Sequence, residues 1–249
     1  MMLKEERQSY ILHQINLHNK VSSSSLSEQL DVSEDTVRRD LIELAQARQI
    51  IKVHGGALSN SYHGRASSAE VYQVDKKRTI ASKAITLLQD GMFVLTTGGT
   101  TIVEFARLLP RELHATFITV SLHAALEYTN HPNIEVIFIG DKLSKNSKIA
   151  VGMDVILKIQ EIKADICFIG VNGIDISGGL TDNDWEIVQV KRAMIRNSKK
   201  VVALSIAEKI DTFEQLKICD LEEIDMLVTE LDPASEKLHP YQSKKIKLL

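Results

Sequence analysis

Two adjacent guanidinium groups, Arg38 and Arg39, stand in the stretch VSEDTVRRDL at residues 32–41. Such groups suit phosphate oxygens and the acceptor edge of guanine, because each presents a planar fork of N–H donors. The same stretch also offers them carboxylates. Glu34 and Asp35 precede Arg38 and Arg39 by one helical turn, a spacing that stabilises an isolated helix by about 0.2–0.5 kcal/mol per pair. A second stretch with chemical potential is LTTGGTTIVEF at residues 95–105. A β-type run ends there at Thr96, Gly98 and Gly99 permit close backbone approach, and a helix opens near Thr101. Free N–H groups at that junction, with the hydroxyls of Thr100 and Thr101, suit an anion. A Gly-Thr turn made purely for geometry is the plainer alternative. The loop has neither the GK[ST] ending of a P-loop nor the GxGxxG of a dinucleotide site, which argues against nucleotide hydrolysis and dinucleotide binding.

The elements that must hold the arginines can be read locally. Residues 4–18 carry Ile11, Leu12 and Ile15 at helical spacing. A second helix is expected from Ser25, where Ser25 and Glu28 have the spacing of a capping box and Leu26 and Leu30 form an apolar stripe. Ser33 is the expected N-cap of a third helix, in which Val37, Leu41 and Leu44 recur on one side. At about 100° per residue, Thr36, Arg39 and Glu43 fall nearly opposite that seam, with Arg38 on its flank. Helix, tight turn, helix is the arrangement that lays its second helix in the major groove of DNA. The following IIKVHGGA predicts a strand over 50–53 and a reversal at Gly55-Gly56, a wing that would bring Lys52 and His54 near phosphates.

Composition bounds these readings. The chain has 249 residues, 44% of them hydrophobic, and a formal net charge of −3. That is enough core for one or two domains, and it carries no global signature of nucleic-acid binding. Residues 1–57 hold seven basic and eight acidic side chains. One such module would bind DNA weakly, so a homo-oligomer, dimer or tetramer, is expected. No apolar run is long enough for a membrane helix, and MMLKEERQSY lacks the apolar segment of a signal peptide, which predicts a cytoplasmic protein without membrane association. Cys167 and Cys219 have no metal-like spacing and are expected to be buried and reduced; no metal and no cofactor is expected. Trp185, flanked by Asp184 and Glu186, is expected to pack at a helix start.

Small and polar residues take over in ALSNSYHGRASSAE at 57–70, which reads as a linker. The expected division is a winged helix-turn-helix domain over 1–57, a linker over 58–70 and a larger domain over 71–249. In the larger domain the runs FVLT, TFITV, IEVIFIG, DICFIG and KVVALS alternate with helix-length segments. That alternation predicts an α/β fold with a Rossmann-like parallel sheet.

The segment VSEDTVRRDLIELAQARQIIKVHGGA resembles the amino-terminal winged helix-turn-helix of DeoR-type bacterial transcriptional regulators. Val32, Ser33, Thr36, Arg38, Arg39, Asp40, Leu41, Leu44, His54, Gly55, Gly56 and Ala57 fall in register with that family's pattern. Asp31 stands where a turn Gly is common and Arg48 where a helix-ending Gly is usual, so Arg48 is expected to lengthen the third helix or add a phosphate contact. The likeness continues through DGMFVLTTGGTT, ITVSL, ADICFIGVNGID, GGLTDNDW and VKRAMI, covering nearly the whole chain. It implies a repressor of a carbohydrate-metabolism operon, its operator affinity set by a phosphorylated sugar or related metabolite in a domain like ribose phosphate isomerase. The DNA-binding residues would be Ser33, Thr36, Arg38, Arg39, Lys52 and His54. The effector-binding residues would be Gly98, Gly99, Thr100, Thr101, Thr119, Ser121, Gly173 and Lys209. Five positions lose the family's polar group or glycine: Thr97, Val120, Asp141, Ile187 and Ile206. A sensor built this way would favour a less hydroxylated ligand or lose its response.

Two other functions compete. A sugar-phosphate isomerase-like enzyme with an accessory N-terminal domain would require positioned carboxylates near the Gly-Thr loop, and Thr97 and Ile206 argue against them, so no catalytic residue is assigned. A winged helix that binds protein instead would be indifferent to the loss of its arginines in a DNA-binding test.

Overall fold

The computed structural model describes residues 2–60 and 71–249. The chain divides into two compact units between Tyr72 and Gln73.

In the first unit, α1 (Lys4–His18) leads into β1 (Lys20–Ser22), then α2 (Ser23–Leu30), α3 (Glu34–Gln46) and a hairpin of β2 (Ile50–Val53) and β3 (Gly56–Ser59). Ile11, Ile15, Leu26, Val37, Leu41, Leu44, Ile50 and Ala57 form its core. The predicted seam of the third helix is therefore the buried one. Helix α2 begins two residues before the expected Ser25, because Ser22 Oγ, not a Ser25–Glu28 box, accepts the capping N–H from Ser25. Ser33 caps α3 as expected, accepting from Thr36 N at 3.3 Å. The wing is three-stranded in the order β1-β3-β2, and β3 runs to Ser59, with Leu58 and Ser59 fully buried. Leu58 and Ser59 thus belong to the winged domain, not to a linker starting at 58; residues 61–70 of the expected linker lie outside the described residues. Both wing glycines have a geometric reason. Gly55 turns with φ +73°, and a Cβ at Gly56 would collide with the Val21 carbonyl of β1.

Arg48 does not lengthen α3. The helix ends at Gln46 and Arg48 takes the left-handed conformation, φ +58°, as does Asp31 at φ +50° after α2. An L-residue with a long side chain pays about 1 kcal/mol or more for that conformation, partly offset by the greater freedom of glycine in the unfolded chain. Arg48→Gly is expected to raise the stability of this unit by roughly 0.5–1 kcal/mol, read as a higher urea midpoint with unchanged slope.

The second unit opens with α4 (Val74–Ile85) and continues β4 (Phe93–Thr96), α5 (Thr100–Arg107), β5 (Ala115–Thr119), α6 (Leu122–Tyr128) and β6 (Ile134–Phe138). A small hairpin, β7 (Lys142–Leu143) and β8 (Ala150–Val151), precedes α7 (Met153–Gln160) and β9 (Ile166–Gly170). A second hairpin, β10 (Gly173–Asp175) and β11 (Gly179–Asp182), precedes α8 (Trp185–Arg196) and β12 (Val201–Leu204). The chain closes with β13 (Leu216–Cys219), β14 (Met226–Val228), α9 (His239–Gln242) and β15 (Lys247–Leu248).

Seven strands form one parallel sheet in the order β15-β14-β12-β9-β4-β5-β6. All five predicted apolar runs are strands of it. Phe105 of α5 packs on Phe117 and Phe168 of one face, while Leu95, Ile118, Cys167 and Ala203 point to the opposite face with Val155 and Ile159 of α7 and Val190 and Met194 of α8. Helices on both faces explain why the central strands read as continuous apolar runs without alternation, whereas the edge strand β6 leaves Ile137 and Phe138 exposed. Cys167 and Cys219 are buried free thiols, each pushed up to about 12 by burial. Trp185 is 63% exposed, contrary to its expected packing role; Asp184, which accepts from Glu186 N and Ile187 N, makes the helix start without it.

Candidate DNA-binding surface and effector crevice

On α3 the buried seam fixes what faces outward. Arg38, Arg39 and Ser33 are exposed, and Thr36 is half-buried with its hydroxyl 3.0 Å from that of Ser33. The anticipated pairing of each arginine with an acid one turn earlier does not form. Arg38 pairs instead with Asp35, at 3.0 Å, and both partners are exposed, so the pair is weak and easily exchanged for a phosphate. The Arg39 side chain has no ion pair or hydrogen bond among the described residues. On the wing, Lys52 in β2 and His54 in the turn are likewise exposed.

The acids of α3 that local sequence could not place are held by α1. Asp40, 2% exposed, accepts from Arg7 Nε at 2.5 Å and Nη2 at 3.2 Å, and from Gln8 Nε2 at 3.3 Å. Glu43 accepts from Lys4 Nζ and Gln8 Nε2 at 2.8 and 2.7 Å. Hydrogen bonds from Lys4 and then Gln8 lower the Glu43 carboxyl below its usual value, and the bond to Asp40 raises Arg7. Two carboxylates are thereby neutralised on the α1 side of the helix. The near-zero charge of residues 1–57 hides this segregation. Arg7 and Asp40 are 33 residues apart, so no local pattern reveals their pairing.

In the second unit the sheet reverses direction of growth between β4 and β9: successive strands after β4 add on the β5 side, later ones on the β9 side. Open parallel sheets bind ligands in the crevice outside the strand C-termini at such a switch point. Here the C-termini of β4 and β9 are joined by Thr97, whose N–H donates to Phe168 O at 3.2 Å and whose Oγ1 accepts from Gly170 N at 3.1 Å. Gly98 and Gly99 follow, Gly99 at φ +110°, and α5 starts at Thr100 with no side chain capping it. Thr100 and Thr101 are half-buried at that mouth. Ser121 caps α6 through Ala124 N at 3.3 Å and lies beside Gly98, where Ile149 also packs.

Lys209 reaches the same crevice from the turn after β12. Its Nζ donates to Val171 O at 3.1 Å and Asn172 Oδ1 at 3.2 Å, and burial lowers its ammonium to about 8. Lys191, absent from the sequence assignment, adjoins it. Lys191 Nζ donates to Gly170 O at 2.6 Å and pairs with Asp182 at 2.5 Å, both side chains buried, while Asn172 Nδ2 donates to the other Asp182 oxygen at 2.9 Å. The signal was present: Lys191 sits one turn after buried Ile187 and one turn before buried Met194, a charge inside the apolar stripe of α8.

Thr119 and Gly173 are both held by the fold itself. Thr119 is fully buried, its hydroxyl donating to Thr96 O and accepting from Ser121 N. Gly173 lies in β10, where a Cβ would strike Thr212 O and Thr181 Oγ1. Both shape the crevice from behind. Of the five altered positions, Val120, Ile187 and Ile206 are buried apolar side chains, Thr97 is the strand tie just described, and Asp141 is exposed beside Gly152.

Comparison with known proteins places both units. Residues 7–63 match the DeoR-like helix-turn-helix domain and residues 72–231 the DeoR C terminal sensor domain. The chain is 32% identical over 232 residues to the HTH-type transcriptional regulator GolR of Listeria innocua, covering 92% of this chain and 91% of that one. It is 33% identical to the HTH-type transcriptional repressor GlcR of Bacillus subtilis, covering 93% and 90%. It is 27% identical to the glycerol-3-phosphate regulon repressor of Escherichia coli, covering 93% of each. These likenesses span both units and are to regulators, which removes the isomerase-like enzyme from contention. The chain belongs to the DeoR family of helix-turn-helix transcriptional regulators.

Proposed function

We propose that this protein represses a carbohydrate-related operon in the cytoplasm, binding operator DNA as a homo-oligomer through α3 and releasing it when a phosphorylated metabolite occupies the crevice. The observation that carries the DNA half is the exposure of Arg38 and Arg39 on α3, away from a seam in which Val37 and Leu41 are fully buried. Ser33 and Thr36 at the start of α3 are the companions of these arginines at the duplex. Lys52 and His54 meet the flanking backbone from the wing. A single module of this modest charge holds DNA weakly, and two on one face of the duplex multiply the affinity.

The effector half rests on the convergence of Gly98, Gly99, Thr100, Thr101, Ser121 and Lys209 at the switch point, a mouth of N–H, hydroxyl and ammonium donors suited to phosphate. Two matched proteins are named as repressors, one of them of a glycerol-3-phosphate regulon. The apolar Val120, Ile187 and Ile206 favour a ligand with few hydroxyl groups.

The test is binding of a labelled duplex from the protein's own upstream region, followed by displacement with a panel of phosphorylated sugars and polyols. At least one compound is expected to weaken the complex tenfold or more, and Lys209→Met is expected to keep DNA affinity while abolishing that displacement. Retention of full displacement by Lys209→Met would remove the lysine from the site.

A further inference from the structure

Three consecutive residues on the first turn of α4 reach in different directions. Lys76 pairs with Glu208 at 2.7 Å, on the turn that carries Lys209, and more loosely with Glu230 at 3.9 Å. Arg78 pairs with Glu104 at 3.0 Å, on the helix that the Gly-Thr loop opens. Lys77 lies between them and is 7% exposed. It heads the stripe Lys77, Ile80, Ala81 and Ala84, which is otherwise apolar and wholly buried. Its neighbours Lys76 and Arg78 thus hold this stretch of α4 against the turn that carries Lys209 and against α5. Among the charges that act on Lys77 are Lys209, Glu104 and Glu208, and among those that act on Lys209 are Asp182, Lys191 and Glu214. Lysine is among the side chains least often buried on such a face.

We propose that Lys77 is a further cationic ligand of the effector, completing from α4 a cluster with Lys209 and Lys191 whose fitting partner is a dianion of the phosphomonoester class. The proposal rests on the crevice being the effector site. It adds a residue that no motif pointed to, and it makes recognition depend on protons. Burial, and then the Lys209 charge, lower Lys77 to about 7, while burial lowers Lys209 to about 8. A dianion between them favours the charged form of both. Well below pH 7 the two lysines are already protonated and affinity is flat with pH. Above that window each must take up a proton on binding, so affinity falls as pH rises, by up to about tenfold per pH unit for each lysine.

The test uses the full chain and sulfate, a tetrahedral dianion whose own charge is constant over this range, with chloride at equal ionic strength as the blank. Thermal-shift titrations at about pH 6.5 and about pH 8.5 are expected to show a sulfate-specific rise that weakens at least tenfold in apparent affinity at the higher pH. Lys77→Gln is expected to lose about tenfold at the lower pH and much of the pH dependence; Lys77→Arg is expected to recover affinity without the pH dependence, and Lys163→Gln, an exposed lysine before the N-terminal end of β9, to behave as the natural chain. Wild-type-like sulfate binding by Lys77→Gln, alongside loss in Lys209→Gln, would overturn the role of Lys77 and leave the crevice reading standing. A sulfate affinity of the natural chain that is independent of pH would overturn it without recourse to any variant. No sulfate-specific effect at either pH would overturn the crevice reading and this inference together.

Discussion

Changing Arg38 and Arg39 together to Ala is expected to weaken binding to the protein's own upstream duplex by at least about thirtyfold, because each guanidinium that meets a base edge or phosphate contributes about 1–3 kcal/mol. The slope of log affinity against log salt should become shallower by about 0.9 for each phosphate that is no longer neutralised. Folding should be nearly unaffected. Both side chains are exposed, and the one ion pair at risk, Arg38 with Asp35, is solvent-facing. Far-ultraviolet circular dichroism and the unfolding midpoint therefore serve as the control, and a change of more than a few degrees would mean that the arginines were structural after all.

Arg7→Met is expected to have the opposite profile. It leaves the Asp40 carboxylate, 2% exposed, with only the 3.3 Å bond from Gln8. Removing one partner of a buried charged pair costs about 3 kcal/mol, which for a unit of this size lowers the midpoint on the order of 15 °C. The double change Arg7→Met with Asp40→Leu should recover most of the loss, since a buried pair replaced by apolar groups is nearly neutral. DNA affinity of Arg7→Met measured well below its midpoint should fall mainly through the unfolded fraction, with the salt slope preserved. Equal destabilisation by the single and the double change would show that packing of the Arg7 stem, rather than the stranded charge, is what matters.

How far the sequence spoke depended on whether a feature was local. The seam Val37, Leu41 and Leu44, the Ser33 cap and the Gly55-Gly56 reversal are each determined within a few residues, and all are found in place. Of the five long apolar runs, β4, β5, β9 and β12 are legible as strands because they are mostly buried, and the edge strand β6 by its β-branched and aromatic residues, although Ile137 and Phe138 are exposed. Strands β14 and β15 were not, since three and two residues carry too little pattern to distinguish from loop. Helix α2 was misplaced by two residues because the run Ser22 to Ser25 offers several equivalent caps and only the backbone path selects Ser22. Arg48 was misread for another reason: a left-handed residue after a helix is signalled by glycine, and arginine gives no such sign.

In the crevice, resemblance supplied the loop and Lys209, and the structure supplied the separation of roles. Thr119 and Gly173 have a hydrogen-bonding and a close-packing reason, respectively, for matching the family pattern. Lys77 and Lys191 match no motif, although a lysine heading or interrupting an apolar stripe is visible in the sequence. What is not visible there is that Lys191 reaches Gly170 O at the C-terminal end of β9 and that the Lys209 charge acts on Lys77.

The central claim is that the outward side of α3 reads duplex DNA. The most direct measurement is fluorescence anisotropy of the full chain at near-physiological salt with two labelled duplexes of equal length, one from its own upstream region and one of shuffled sequence. Tighter binding of the first by about a thousandfold is the predicted result. Equal affinity for the two duplexes, or none for either at low salt, would contradict it.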